Sequence, residues 1–296
     1  MTAVMLRSFL YAPATSGRKL ERLGDAGADA VVIDLEDAVA EAEKDRARET
    51  VPAALARIQG PLRCVRINAL RTGRAPDDLR ASVGPALDAV VVPKTESADE
   101  LGSVDAELSR REAAHGLQVG AVRIVPLIET ARGILLLDRI VEDLPARVLV
   151  LHFGLGDFSS EIGVQITPGG QELAYARSRM VVASRAAGLP PPVDGPFTDL
   201  RDDDGLFADS QRSAGLGLGG RVVIHPGQLA TVHRAYSLVS ESQLRRARAT
   251  IEAFESAEAQ GLASILVDGR FVDYPFYRQA VEVVRRHDDY LRALGA

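Results

Sequence analysis

Ala30-Val31-Val32-Ile33-Asp34-Leu35-Glu36-Asp37 is the stretch that decides the fold. Its four leading residues are apolar and three of them are β-branched, the signature of a short strand buried on both faces. Three acids then crowd into the four positions from Asp34 to Asp37. An amphipathic stretch over residues 41–57 follows and is long enough to be a crossover helix, so the unit reads as one strand and one helix of a parallel sheet. Seven similar runs lie on either side, at residues 7–11, 64–67, 89–92, 123–128, 147–151, 192–194 and 221–224, the seventh in chain order being the shortest. Each except the last is followed by a predicted helix or a loop and helix, as over residues 172–187 after the sixth. Eight strand–helix units predict a (β/α)8 TIM barrel. A doubly wound dinucleotide fold is the alternative, but Gly17 stands alone and no glycine-rich fingerprint follows the first strand.

The position of the ionisable groups argues for the same fold. Parallel barrels carry their chemistry at the carboxyl ends of the strands. There the sequence places Asp34, Glu36 and Asp37, then Arg66 and Asn68, Lys94, Glu129, Asp157 and His225. After the barrel, residues 240–260 read as a helix, 264–268 as a strand with a turn at Gly269, and the chain from Tyr277 as a last helix. This divides the chain into a catalytic barrel over residues 1–239 and a C-terminal helical lid or oligomerisation extension over 240–296, with Asp273 in its central loop before Pro275.

Composition excludes several classes. The chain has 296 residues, 46% hydrophobic and 26% charged, with a formal net charge of −6, which gives no footprint for nucleic acid. The arginines at 245, 246 and 248 alternate with Glu241 and Glu252 as on a solvated helix face. The lone Cys64 lies in an apolar run and reads as a core residue of a reducing compartment. The sequence contains no apolar run of membrane-spanning length and no signal-peptide pattern, so a cytoplasmic location is the expectation.

Glu129 and Asp157 offer hard oxygen ligands from neighbouring strand ends, with no histidine or cysteine pair nearby at zinc spacing. Two carboxylates completed by water and substrate oxygens suit magnesium or manganese. Each has an ordinary alternative: an ion pair with Arg132 for Glu129, and a helix cap near Phe158 for Asp157. Glu36 shares a strand face with Asp34 and is placed to orient water on the ion, while Asp37 reads as a helix cap. Arg66 is suited to bidentate binding of a carboxylate or a developing enolate oxygen, its alternative being a salt bridge to the acids beside it.

Seven blocks in register carry a resemblance: Arg7-Ser8-Phe9-Leu10-Tyr11-Ala12-Pro13, Ile33-Asp34-Leu35-Glu36-Asp37-Ala38-Val39, Val65-Arg66-Ile67-Asn68, Val92-Pro93-Lys94-Thr95-Glu96-Ser97, Ile128-Glu129-Thr130-Ala131-Arg132-Gly133, Phe153-Gly154-Leu155-Gly156-Asp157 and Ile224-His225-Pro226-Gly227-Gln228. The chain resembles, over nearly its whole length, the citrate lyase beta-subunit and malyl-CoA lyase group of the HpcH/HpaI aldolase family. The resemblance implies a TIM barrel in which Glu129 and Asp157 are direct magnesium ligands, Arg66 holds substrate, and Glu36 and Asp37 support the ion through water. It also implies that Arg18 and Lys19 meet the nucleotide phosphates of coenzyme A, with His225 and Pro226 beside its adenine. The segment Val272-Asp273-Tyr274-Pro275 resembles a lid that sets an aspartate over a neighbouring subunit's site as acid/base, which implies a homotrimer or homohexamer. Two departures stand out: Gly156 replaces the acid that often precedes the metal-binding aspartate, and the usual turn glycine is absent around Ala14.

The function expected on these grounds is magnesium-dependent cleavage or formation of the carbon–carbon bond of a 3-hydroxyacyl-CoA thioester, with an acyl-CoA and a small 2-oxo acid as its partners. Citryl-CoA, malyl-CoA and citramalyl-CoA all fit. A true citrate lyase beta subunit would in addition need a carrier-protein partner and a transferase subunit. A CoA-independent class II hydroxy-oxo-acid aldolase and a non-catalytic CoA-ester-binding subunit are the rival readings.

Overall fold

The computed structural model describes residues 6–237, 239 and 241–293, in two compact units, Met1–Tyr236 and Ser237–Ala296. The expected division at 239/240 falls on Ser240, which lies outside the described residues.

The first unit alternates strands and helices: β1 (Ser8–Pro13), α1 (Gly17–Arg22), β2 (Ala30–Asp34), α2 (Lys44–Arg57), β3 (Leu62–Arg66), α3 (Ala75–Ser82), β4 (Ala89–Val92), α4 (Ala98–Ala114), β5 (Arg123–Ile128), α5 (Ala131–Leu135), α6 (Leu137–Glu142), β6 (His152–Phe153), α7 (Leu155–Ile162), α8 (Ala174–Ala186), β7 (Val193–Asp194), α9 (Asp203–Leu216), β8 (Gly220–Val223) and α10 (Leu229–Ser237). The eight strands pair in parallel and in order, and β8 returns to β1, closing a barrel. The expected TIM barrel is therefore the fold.

Strand alternation sorts the core into two layers. Phe9, Ala30, Val32, Cys64, Val91, Val125, Leu127 and Val222 fill the barrel interior, while Leu10, Val31, Ile33, Val65, Val90 and Ile124 face the helices. Advancing two residues from the last interior apolar position gives Tyr11 on β1, Asp34 on β2, Arg66 on β3 and Glu129 after β5. The interior thus changes from apolar to ionisable in one step along the barrel axis, and that step is the floor of the site.

The sixth strand departs from expectation. The ladder covers only His152 and Phe153, past the predicted run at 147–151. Ile124 bridges Val148, whereas Leu127 pairs with His152. The chain at β6 therefore advances four residues while β5 advances three, and one extra residue interrupts the ladder as in a β-bulge.

The second unit contains α11 (Glu241–Glu258), β9 (Ser264–Val267), β10 (Arg270–Asp273) and α12 (Tyr274–Ala293). Asp268 and Gly269 have φ of 49° and 72° and form the two-residue turn that an Asp-Gly pair favours. The sequence reading had the first of these strands but not its antiparallel partner. Asp273 consequently closes β10 instead of lying in a loop, and α12 starts three residues before Tyr277 with Pro275 in its first turn, where a missing N–H costs nothing. Phe254 is buried against Tyr274 and Tyr277, with ring centroids 5.1 and 5.0 Å away. Among the described residues no helix is long and apolar enough to cross a membrane.

Candidate active site at the carboxyl end of the barrel

A cavity of about 330 Å3 opens over the floor of ionisable groups, lined by Tyr11, Lys19, Asp34, Asp37, Arg66, Glu129 and Asp157 among polar side chains, with Leu127, Phe153, Pro196, Val222 and Ile224 as its apolar wall. A larger groove of about 640 Å3 lies between α6 and α8. Its charged pair Arg179 and Asp138 is an exposed ion pair at 3.4 Å, and no strand end reaches it, so chemistry points to the smaller cavity.

Asp34 organises the floor. Its buried carboxylate accepts from the backbone N–H of Glu36 at 2.9 Å and of Ala38 at 3.2 Å, which turns the chain sharply after β2. It also accepts a fork from Arg66, Nε at 2.7 Å and Nη2 at 2.6 Å. Arg66 Nη1 stands 3.1 Å from Glu36. Burial opposes the charge on Arg66, but the Asp34 carboxylate outweighs it and the guanidinium is held firmly protonated. The salt bridge left open as an alternative for Arg66 is thus present, and Arg66 still lines the cavity.

Asp37 does not cap a helix as expected. The turn is closed by Asp34, and the single turn of 3-10 helix at Glu41–Glu43 begins from Ala40 without a side-chain cap. Asp37 instead lies 3.3 Å from Lys94 Nζ. That ammonium also meets Glu36 at 2.8 Å and Asp157 at 3.1 Å, so one lysine gathers three acids from the ends of two different strands, β2 and β6. Lys94 was visible in the sequence only as one more polar strand end. Its backbone is left-handed, φ 53°, which is rare outside glycine and turns its N–H toward Glu129 Oε1 at 3.0 Å.

Glu129 is 3% exposed. Burial, with Glu36 and Asp157 adding their negative charge, pushes its carboxyl up to about 8. Gly154 makes room for it: a Cβ there would lie 2.4 Å from both Cβ and Oε2 of Glu129. Asp157 sits in the first turn of α7 and is no N-cap, and Arg132 pairs with Glu96 at 3.6 Å, not with Glu129. Both ordinary alternatives for these acids are absent.

A divalent ion fits this donor set. Among the described residues Glu36 Oε2 and Asp157 Oδ2 are buried and accept no hydrogen bond, having ion-pair contacts to Arg66 and Lys94 respectively. Among the described residues no three His, Cys, Asp or Glu side chains converge to hold an ion unaided. Two carboxylates would leave the remaining positions to water and substrate, which is the habit of magnesium.

The other blocks of the sequence serve local structure as well. Ser97 and Glu100 form a capping box on α4, Thr130 caps α5 by accepting from Gly133 N–H, and Gln228 accepts from Ile224 N–H while donating to Phe197 O. Arg18 and Lys19 are exposed on α1, and Lys19 reaches the cavity wall. His225 and Pro226 are exposed beside Ile224, with His225 Nδ1 accepting from Gly227 N–H at 3.1 Å. Asp273 belongs to the second unit, where its carboxylate lies 3.5 Å from Phe276 N–H.

Comparison with known proteins adds an independent measure. Residues 7–226 match the family model described as HpcH/HpaI aldolase/citrate lyase. The chain is 31% identical over 281 residues to the citrate lyase subunit beta of Leuconostoc mesenteroides subsp. cremoris, covering 94% of this chain and 92% of that protein. It is 32% identical over 302 residues to an L-malyl-CoA/beta-methylmalyl-CoA lyase of Cereibacter sphaeroides, covering 95% and 94%. The crystal structure of CitE from Mycobacterium tuberculosis in complex with magnesium, acetoacetate and coenzyme A superposes with a TM-score of 0.76 at 27% identity, covering 95% and 98%. A match to the family model over most of the barrel, joined to relatives aligned almost end to end, places the sequence: the chain belongs to the HpcH/HpaI aldolase/citrate lyase family, a family of carbon–carbon lyases.

Proposed function

We propose that the protein is a magnesium-dependent lyase that cleaves or forms the carbon–carbon bond of a 3-hydroxyacyl-CoA thioester of the citryl-, malyl- or citramalyl-CoA type. The observation that carries this reading is the pairing, in one cavity, of the under-compensated acids Glu129 and Asp157, backed by Glu36, with the half-buried cation Arg66. The acids suit a divalent ion, and the guanidinium suits the carboxylate or enolate of the reacting partners. Lyases that act on malyl-CoA, and a fold relative crystallised with magnesium, acetoacetate and coenzyme A, support the same assignment.

In this reading Glu129 and Asp157 hold magnesium or manganese, which when bound supplies Lewis-acid polarisation of the oxo-acid carbonyl. Glu36 and Asp37 orient water around it. Arg66 offers its Nη1 edge to negative charge that develops on the enolate oxygen. Asp273, contributed by the extension of a neighbouring subunit in a trimer or hexamer, takes a proton from the thioester methyl group during condensation. In cleavage the Asp273 carboxylate takes the proton of the substrate hydroxyl, the carbon–carbon bond breaks, and Asp273 gives that proton to the enolate carbon. Arg18 and Lys19 receive the nucleotide phosphates of coenzyme A, and His225 and Pro226 border its adenine.

A spectrophotometric assay of the purified protein with magnesium against malyl-CoA, citramalyl-CoA and citryl-CoA tests the proposal. Cleavage of one thioester is expected, lost in Glu129→Ala and Asp273→Asn. Turnover of free hydroxy-oxo acids that ignores Asp273→Asn, with every thioester inert, would establish a CoA-independent aldolase instead.

A further inference from the structure

The cavity described above is poor in hydrogen-bond donors for an anionic substrate. Of its polar lining, Asp34, Asp37, Glu129 and Asp157 are acids, and only Tyr11, Lys19 and Arg66 carry donors on their side chains. Lys19 is exposed on α1. Arg66 has already committed Nε and Nη2 to Asp34. A small 2-oxo acid seated on this floor therefore meets one guanidinium edge, Nη1, which it shares with Glu36 at 3.1 Å, and one hydroxyl.

The hydroxyl is that of Tyr11. Strand β1 places it on the interior face two residues beyond Phe9, as the ring on which Arg66 rests, with Cζ 5.3 Å from the ring centroid. The guanidinium above and the apolar interior below fix the ring, yet among the described residues the buried Oη has no hydrogen-bond partner. A buried phenol normally finds one, because leaving that hydrogen bond unmade forfeits the hydration the hydroxyl had in water. Burial also keeps this phenol protonated, pushing its pKa well above the ordinary tyrosine range, with the Arg66 charge only partly opposing. Its Oη is therefore a donor in need of an acceptor, and the cavity is where an acceptor can enter.

We propose that Tyr11 is a substrate-binding residue of this active site, its hydroxyl donating a hydrogen bond to an oxygen of the 2-oxo acid beside Arg66. This rests on the proposed oxo-acid chemistry but not on the identity of the thioester. The carboxylate or carbonyl oxygen that accepts from Tyr11 is held by a neutral donor, whose hydrogen bond does not compete with the acids for the cation. In the binding of a substrate with two or more anionic oxygens, Arg66 supplies the charge and Tyr11 the direction.

The test is Tyr11→Phe, which keeps the ring under Arg66 and removes one oxygen. Calorimetric titration of wild type and variant with oxaloacetate, pyruvate and glyoxylate, each with magnesium present, reads the oxo-acid contact directly. Magnesium affinity alone and the thermal midpoint serve as structural controls. The expected result is a 5- to 100-fold weaker oxo-acid affinity in the variant with both controls unchanged, and an equal or larger loss in kcat/KM wherever a thioester is turned over. Unchanged oxo-acid affinity overturns the proposal, as does wild type that binds no oxo acid, and a variant whose loss is matched by weaker magnesium binding assigns the hydroxyl to the metal site. Thioester inactivity of wild type would remove the CoA reading while the titration still decides the role of Tyr11.

Discussion

Two regions of the barrel bury charge, and they do so to opposite effect. Under β7 and β8, Arg177 and Arg221 meet Asp194 and Asp209: Arg177 lies 2.9 Å from Asp194 and 3.0 Å from Asp209, and Arg221 lies 2.9 Å from Asp194 and pairs closely with Asp209. Arg212 adds a third cation 3.3 Å from Asp209, so both acids are fully matched. Burial alone would raise Asp209, but the two guanidinium groups overcome it and bring the carboxyl down to about 2. At the cavity, Asp34, Glu36, Asp37, Glu129 and Asp157 outnumber the cations around them, Arg66 and Lys94 through ion pairs with Lys44 and Lys19 nearby, and Glu129 is driven up to about 8. A balanced cluster is complete and serves the fold. An unbalanced one leaves charge for a ligand to neutralise, which is why a perturbed carboxyl in a cleft marks function.

The largest effect that tests this contrast lies in the balanced cluster. Arg221→Met removes a cation with no exposed surface and leaves Asp194 and Asp209 short of a partner, so urea unfolding should show a loss of about 3–5 kcal/mol. Lyase turnover measured below the unfolding transition should persist. If the stability loss stays under 1 kcal/mol, the cluster is not the structural element its geometry indicates.

The second effect separates the regions by pH. A carboxyl raised in the folded state, as Glu129 is, binds a proton that the unfolded chain has released between the ordinary pKa and about 8, so stability falls as pH rises through that window. Asp209, depressed to about 2, contributes stability that is present above the ordinary aspartate pKa and is lost as pH falls through 2. In EDTA-treated protein the wild type should therefore lose on the order of a few kcal/mol relative to Glu129→Gln between pH 5 and 8.5. Magnesium should abolish that slope, because an ion held by the carboxylate favours its charged form. Parallel pH profiles of wild type and Glu129→Gln in EDTA would sink this account.

What could be read from the chain follows the same division. Strand ends were legible because β-branched runs stop abruptly at charge, as Val31-Val32-Ile33 does at Asp34. β6 was displaced because one extra residue opposite β5 has no signature in composition. The acids Glu129 and Asp157, which we propose hold the ion, stand out in the sequence by chemistry and order alone. Lys94 was not, since its role depends on a left-handed backbone that brings one ammonium to Glu36, Asp37 and Asp157. Asp37 was misassigned as a cap because the turn after β2 is closed by Asp34, two residues before Glu36. Tyr11 reads as one more apolar strand residue until the partnerless Oη is seen. The cluster of Arg177, Asp194, Asp209 and Arg221 was invisible because α8, β7, α9 and β8 each contribute only one member.

A smaller effect probes the space around Glu129. Gly154→Ala would set a methyl 2.4 Å from Glu129 Cβ as well as its Oε2. Because Cβ is not the far end of a flexible chain, backbone must yield, at a cost of about 1–3 kcal/mol. Magnesium affinity should fall by about 10- to 100-fold, the range seen when a metal ligand loses its support. Affinity unchanged in Gly154→Ala would mean that Glu129 need not sit where the fold now holds it.

The smallest expected difference concerns Lys94, and its sign depends on what occupies the site. The left-handed backbone of Lys94, φ 53°, costs a non-glycine residue about 1–2 kcal/mol, so Lys94→Gly relieves strain while keeping the N–H that bonds Glu129 at 3.0 Å. The same substitution removes the ammonium between Glu36, Asp37 and Asp157. Without magnesium the acids lose a counter-charge, and Lys94→Gly should melt below wild type. With magnesium bound, the ion supplies part of that charge, and the relieved backbone should narrow the gap to within about 1 kcal/mol. Thermal melts of both proteins with EDTA and with saturating magnesium measure the change directly. An equal gap in both conditions would show that Lys94 and the ion neutralise different acids, dividing the unbalanced cluster into two independent sites.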